Sequence, residues 1–503
     1  MFYRVLMGLL AWLALATTAP AQTVIWVTNA QAFGPGSLRQ AVLDLQPGAT
    51  GVQEIRFALG SQTGTTIFLN QPMPDIRGAT VRIDAADTTG GVIIDGGGHQ
   101  QFRVPAGSTT TSLSVANLTL RRGGAVGNGG CISVAKAGSS LALDRVTLEE
   151  CRAYYDATTA PAFGGAVFAA GPLTVRDSVF SGNSMNTLGS ATVSANAGGG
   201  AIGKTGLHPV TVQRSRFRDN RVYLTNTDAP FCASGAGGAI YLSMPGTPGT
   251  DVVIEDSSFV NNSTPCRNPT VTYDIDGAGD GGGVYFYGEY VNLRFNANYF
   301  ENNRGRRGGG IGIIGALAST PVVTNNTFHR NRATASGGGL LILNCCYSQV
   351  LNNTFSENVS LSSNYGGQFS LFGGGTLSLF NNIAKAADSD SGLLCNASSG
   401  QISAGGNLYT RNDCPVAGDS SSLAIGTMPW LQAPSMSGGY VLSQRSDYGA
   451  PSIDSADEAH CVHYDVRGTV RPLDGDGDMV ARCDVGAVEN SLVDRLFKDG
   501  FED

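Results

Sequence analysis

Aromatic rings beside carboxylates are the residue types from which a sugar-binding or cation-binding cleft can be made. This chain carries them in clusters: Tyr154, Tyr155 and Asp156; Tyr223 and Asp228; Tyr273, Asp274, Asp276 and Asp280. Ring faces suit the apolar side of a pyranose, and carboxylates suit hydroxyl groups or a hard cation. The spacing Asp274-x-Asp276-x-x-x-Asp280 can ligate Ca²⁺ through oxygen, although it lacks the spacing and the terminal Glu of an EF-hand loop. A second acidic run, Asp474-Gly-Asp476-Gly-Asp478, resembles a fragment of a calcium loop and reads equally well as an acidic turn. Arg304, Arg307 and Arg332 offer guanidinium groups that can hold an anionic polymer or pair with neighbouring carboxylates. With a pKa above about 12, Arg is a difficult general base. The histidines His99, His208, His329, His460 and His463 are scattered, no Cys/His spacing for zinc is present, and no nucleophile and base pair stands out. For each single residue, solvated loops whose rings pack against the scaffold are the competing reading.

The elements that must position these side chains follow from self-similarity. Phe180, Phe217, Phe259, Phe300, Phe328 and Phe355 are each followed three residues later by Asn183, Asn220, Asn262, Asn303, Asn331 and Asn358. Five residues before each Phe stands an apolar residue, and a Gly-Gly pair opens the next segment. Apolar positions alternate over short runs broken by Asn, Asp, Ser and Gly, which is the grammar of strands and turns. The shortest units suit one coil of three short strands and three turns, rising about 4.8 Å onto the next. Recurring Asn and Ser can then form ladders along the stack. The intervals from turn Asn to the next Gly-Gly are long at 184–198, 221–236, 263–281 and, by alignment, 152–163. Sharing one register, these insertions should stand side by side as a wall along one edge, and function on a repeat scaffold concentrates on such a face. The same alignment puts Arg307 one coil above Asp280, and stacks Arg304 on Arg332 after the turn Asn.

Composition agrees. Glycine is abundant (69 of 503 residues), charged residues make up only 14%, and lysine occurs only at Lys136, Lys204, Lys385 and Lys498. A net charge of −8 leaves no footprint for nucleic acid or an anionic membrane. The start, with Arg4, an apolar run from Val5 to Ala16 and Ala19-Pro20-Ala21, reads as a secretory signal cleaved after Ala21. In an exported chain the 10 cysteines read as disulfides, grouping as Cys131 with Cys151, Cys232 with Cys266, Cys395 with Cys414 and Cys461 with Cys483. Adjacent Cys345 and Cys346 leave a vicinal bridge or two buried thiols open.

The segment Val27 to Ala58, with Gly34-Pro35-Gly36-Ser37-Leu38-Arg39-Gln40-Ala41-Val42, resembles the N-terminal cap of secreted bacterial β-helix proteins of the pectin-lyase-like superfamily, and Ile93-Ile94-Asp95-Gly96-Gly97-Gly98 resembles their first full coil. Gly405-Gly406-Asn407-Leu408 with Cys414, then Asp465-x-Arg467-Gly468 to Arg471-Pro472 and Cys483-Asp484-Val485-Gly486-Ala487-Val488-Glu489, resembles the C-terminal region called choice-of-anchor Q. A glycosidase of the polygalacturonase kind would show Asn-Thr-Asp, Asp-Asp, Gly-His-Gly and Arg-Ile-Lys on successive coils; none is present. The resemblance is specific for fold and export and weak for activity.

The expected fold class is all-β, a single-stranded right-handed parallel β-helix: a three-sheet solenoid of roughly 11 coils with a short N-terminal capping helix and a disulfide-stabilised C-terminal cap. The expected segments are a signal peptide (1–21), an N-terminal cap (22–66), the β-helix (67–407), a C-terminal cap of the choice-of-anchor Q kind that closes the stack (408–490) and a tail (491–503). The expected function is non-catalytic binding of a polysaccharide or cell-surface component by an exported, adhesin-like protein. Alternatives are a Ca²⁺-dependent polysaccharide lyase acting at the insertion edge, and a structural spacer. No motif demands a cofactor, and Ca²⁺ is the one candidate.

Overall fold

The computed structural model describes residues 22–60, 64–155, 161–187, 197–225, 235–244, 249–267, 277–315, 318–387, 392–414, 416 and 430–492. Alternating apolar residues in short runs form strands that pair in parallel, each in register with its counterpart one coil away. Val175, Val212, Ile254, Phe295, Val323 and Val350 thus lie in one column, all buried. One sheet holds 12 strands stacked in chain order, one for each coil after the first. A second is formed by two such ladders fused into 21 strands, because the long strands Leu340–Leu351 and Gly366–Phe380 round the corner between them without a break. The third is shorter, with five strands from Gly124–Val126 to Cys266–Arg267 and three from Arg304–Arg307 to Val359–Ser360. The fold is the right-handed parallel β-helix expected from the repeat.

The repeated Phe and Asn hold the stack. Rings of Phe180, Phe217, Phe259, Phe300, Phe328 and Phe355 lie nearly parallel with centroids 4.7–5.0 Å apart, the spacing the strands impose. Asn183, Asn220, Asn262, Asn303, Asn331 and Asn358 form a ladder in which each Nδ2 donates to the next Oδ1 at 2.9 Å. At the opposite corner of the same sheet, Asn298, Asn326, Asn353, Asn382 and Asn407 repeat the device at 3.0 Å. The first ladder ends on Gln368, whose Oε1 accepts from Asn358 Nδ2 at 2.9 Å while its Nε2 bends back to the Asn358 carbonyl at 2.8 Å. There the ring stack also stops, Phe369 lying 58° from the plane of Phe355.

The stack begins earlier than the expected boundary at 67, since Thr23–Val27 and Val52–Phe57 are already rungs of the large sheet. Helix Leu38–Leu43, started by Ser37 Oγ accepting the Gln40 N–H at 3.2 Å, buries Leu38, Ala41 and Val42 on the core's first coils.

The C-terminal region, expected as a cap closing the stack, lies in its described part along the side of the coils. Residues 430–492 run back along the flank, where Asn381, Asn352 and Asn325 on successive coils donate to the carbonyls of Asp457, Asp484 and Tyr464 at 3.0, 3.2 and 2.8 Å. Val441, Val466 and Val488 pack on Tyr299, and Arg214 lies 5.6 Å from the Tyr440 ring centre. Inside this strap Arg471 is buried, donating to the carbonyls of Asp484 and Gly486 at 2.9 and 2.8 Å and lying 3.4 Å from Glu489. Burial pushes the carboxyls of Glu489 and Asp484 above the usual carboxylate range, and at Glu489 the charge of Asp484 adds to it.

Disulfides join Cys131 to Cys151, Cys395 to Cys414 and Cys461 to Cys483. Cys266 is also disulfide-bonded, while Cys232 lies outside the described residues. Cys345 is buried with its sulfur 3.6 Å from the Ser319 carbonyl; the Cys346 side chain lies outside the description.

Candidate functional site

At each coil the ladder Asn is drawn inward, and the residue before it takes the left-handed conformation that sharpens the turn: Asp219 (φ 57°), Asn261 (57°), Asn302 (52°), Arg330 (54°) and Glu357 (57°). The residue after the Asn starts a strand and points outward. That position stacks in register as Arg152, Ser184, Arg221, Ser263, Arg304 and Arg332. All four arginines are exposed. From Arg152 to Arg332 the column covers five coil steps, about 24 Å. Two residues further along each strand, a second outward row contains Tyr154, Asn186 and Tyr223.

These rows line one groove. Its first stretch is bounded by Arg152, Ser184, Asn186, Asp219, Arg221 and Tyr223; Asp219 and Arg221 pass into the next, with Asn261, Ser263, Asn302 and Arg304; and Asn302 and Arg304 continue to Arg330, Arg332 and Glu357. Five arginines and two carboxylates line it, and both carboxylates are engaged by neighbouring cations. Asp219 lies 3.5 Å from Arg218. Burial works against the Glu357 charge, but hydrogen bonds from Lys385 (2.8 Å) and Arg330 (2.9 Å) hold its pKa down to about 2. Tyr223 receives a hydrogen bond from Arg221 at 2.9 Å, which orients both side chains on the groove wall.

The insertions rise beside this groove. Arg152–Tyr155, Ser184–Thr187 and Arg221–Thr225 continue past the main core, and return strands Ala162–Phe163, Ala197–Gly198 and Gly235–Ala236 stack on one another in parallel. Between the two layers lies a small separate core of Ala153, Tyr155, Ala162, Met185, Ala197, Val222, Leu224 and Cys266. Tyr155 is therefore a packing residue, 7% exposed, and offers no ring face to a ligand. Strand alternation explains it: Arg152 and Tyr154 face out, Ala153 and Tyr155 face in.

Of the other residues singled out from the sequence, Tyr154, Tyr223, Arg304 and Arg332 come together on the groove side. Arg307 does not join them. It clamps Asp280 with two hydrogen bonds, Nε to Oδ1 at 2.9 Å and Nη2 to Oδ2 at 2.5 Å, beside the stacked rings of Tyr241 and Tyr285. Both oxygens of Asp280 are thus committed to a guanidinium, which removes it as a ready Ca²⁺ ligand and removes Arg307 as a ligand-binding group. Asp156, Asp228, Tyr273, Asp274 and Asp276 lie outside the described residues. Arg152 and Arg221 were missed in the sequence, although Arg221 follows ladder Asn220 just as Arg304 follows Asn303. Arg152 follows Cys151, which fills the ladder position with its N–H on Asn183 Oδ1 at 2.9 Å.

The family described as right handed beta helix region matches residues 266–413. No curated protein matches the chain. Among solved structures, XylC in complex with xylose aligns at a TM-score of 0.46 and 9% identity over 93% of this chain and 99% of that one. Pectate lyase Pel9A aligns at 0.32 and 12% over 93% and 97%. The A-module of mannuronan C-5 epimerase AlgE6 from Azotobacter vinelandii aligns at 0.28 and 12% over 79% and 99%. With the in-register coils, the family match identifies the fold of this chain as the right-handed parallel β-helix.

Proposed function

We propose that this protein is an exported, surface-associated binder of an anionic polysaccharide, and that the polymer lies along the groove without being cleaved. The observation that carries the reading is the in-register column of Arg152, Arg221, Arg304 and Arg332 on a chain whose net charge is −8. A coil rise of about 4.8 Å is close to the length of one sugar unit, so a polymer laid along the stack meets a similar environment at each residue. Guanidinium forks match carboxylate or sulfate groups in a bidentate way. Tyr154 and Tyr223 can cover the apolar faces of the rings, and the serines and asparagines between the arginines suit hydroxyls. In this reading the N-terminal segment directs export and the C-terminal strap is the part that holds the protein at the surface.

The test is retention on immobilised polygalacturonate or alginate against neutral dextran, with a salt titration. Wild-type protein should be retained on the acidic polymers and released as salt rises. An Arg221→Ala, Arg304→Ala, Arg332→Ala variant should bind about tenfold more weakly or worse, since each hydrogen bond to a charged group contributes about 1.5–3 kcal/mol. Equal retention of the variant would overturn the reading. Release of unsaturated oligosaccharides would show a lyase instead, a reading that the Arg307–Asp280 clamp does not favour.

A further inference from the structure

The acidic run near the C-terminus takes no part in the groove, and its geometry has a different meaning. Residues 474–478 form a tight turn that folds back on Asp454. Asp474 accepts the N–H groups of Gly477 and Met479 at 2.6 and 3.0 Å, and Asp476 accepts that of Asp478 at 2.9 Å. Asp454 Oδ2 accepts from Gly475 and Asp476 at 3.0 and 2.7 Å. Gly475 makes this approach possible, because a Cβ there would stand 2.7 Å from Ile453 Cγ2 and 3.3 Å from Asp454 Oδ2. One carboxylate oxygen each from Asp454, Asp474 and Asp476 lies within 4.8 Å of the other two.

A second observation concerns the buried partner. Asp454 is only 8% exposed, and its Oδ1 is buried with no hydrogen-bond partner. An orphaned carboxylate oxygen costs about 1–3 kcal/mol or more when nothing satisfies it. Burial, together with the charges of Asp476 and Asp474, also pushes the Asp454 carboxyl upward. The guanidinium of Arg482 is bound to Asp478 at 2.9 Å, and among the described residues no ion pair reaches Asp454, Asp474 or Asp476. Three converging carboxylates, one of them buried and incompletely satisfied, define a place for a positive charge; Arg482 is near enough to feel Asp476 and Asp454, but its ion pair is with Asp478.

We propose that Asp454, Asp474 and Asp476 bind a Ca²⁺ ion that pins the 474–482 turn to the body of the C-terminal strap. All donors are hard oxygens, which select Ca²⁺ or Mg²⁺ over zinc or copper. A turn with exposed Asp476 can complete the six to eight ligands of Ca²⁺ with water. The ion also acts beyond the turn, because Asp454 N–H donates to Asp484 Oδ1 at 2.8 Å and so joins the site to the ionic cluster around Arg471.

Calorimetric titration of the full chain with Ca²⁺, alongside Tb³⁺ luminescence, tests this. The Tyr448 hydroxyl lies 3.3 Å from the Asp476 carbonyl, so it sits where it can sensitise a bound Tb³⁺ ion. Tyrosine-excited Tb³⁺ emission should appear and be displaced by Ca²⁺, and Ca²⁺ should raise the melting temperature relative to chelator. Asp454→Asn and Asp476→Asn should each weaken Ca²⁺ binding tenfold or more. Tyr448→Phe should lower the emission, Trp430 beside it remaining as a second sensitiser, while keeping the calorimetric signal. Asp476 is exposed, so its variant keeps the test valid even if Asp454→Asn fails to fold. Absence of Ca²⁺ uptake, or uptake unchanged in Asp476→Asn, would overturn the site.

Discussion

The coils and the C-terminal strap solve the same problem, burying polar groups, by opposite means. The coils repeat neutral devices: each Asn is satisfied by the next, each Phe lies on another Phe, and the pattern runs on through successive turns. The strap uses unlike charges once each, with Arg471 set among the carboxyls of Asp484, Glu489 and Asp465. Redundancy spreads the load in the first region, whereas in the second it falls on single residues.

Removing the most loaded residue should break the comparison most visibly. Arg471→Ala leaves Glu489 and Asp484 buried without their cation, a loss of about 3–5 kcal/mol. The strap should become sensitive to protease while the far-ultraviolet circular dichroism of the coils persists; a single joint transition would show the two regions to be one cooperative unit.

Within the coils the cost should be smaller and graded by position. Asn303→Ala removes the acceptor of both Asn262 donors (3.0 and 2.9 Å) and a donor to Phe259 O and Asn331, for about 2–3 kcal/mol in denaturant unfolding. Asn183→Ala, at the ladder's start, removes the same two donations, to Leu148 O and Asn220, but deprives one N–H, that of Cys151, of its acceptor instead of two, and should cost less. Equal costs would mean that the ladder is not a chain of equivalent links.

The smallest effect lies at the seam. His329 is 3% exposed with Nδ1 2.8 Å from Ser356 Oγ, which in turn donates to Gln444 of the strap. Burial, with Arg330 nearby, lowers its pKa to about 4. The folded form therefore stays neutral while the unfolded chain takes up a proton below its ordinary value, so this contribution is present above pH 6.5 and is lost as pH falls toward 4. Relative to His329→Gln, wild-type stability should fall by about 2 kcal/mol by about pH 5, as read from melting curves. A difference independent of pH would mean that the ring is protonated in place.

Much of the stack was legible because its physics is periodic. Phe at a fixed offset from Asn repeats wherever a ring must lie on a ring and an amide on an amide. Half of the arginine column was visible for the same reason, in Arg304 and Arg332. The other half was hidden because Ser184 and Ser263 interrupt it and Cys151 replaces the ladder Asn before Arg152. Tyr155 was misread because the insertion has a core of its own, and inward or outward direction there depends on a layer that composition does not announce. Asp454 gave no signal at all. Its closeness to Asp474 is made by an irregular chain path, and such a path has no period to read.

A column of identical rungs has no intrinsic length, and in this chain the stop of the first asparagine ladder is written in one methylene. Gln368 takes the last amide of the ladder yet is long enough to turn its own amide back onto Asn358, so the rung above receives no invitation. In the language of polymer growth it is a terminator: it accepts addition from one side and offers no reactive end on the other. The same coil tips its ring out of the stack, so the amide ladder and the ring column terminate together, while the sheets run on to Leu408–Tyr409 under the second asparagine ladder: two columns of one body have different lengths.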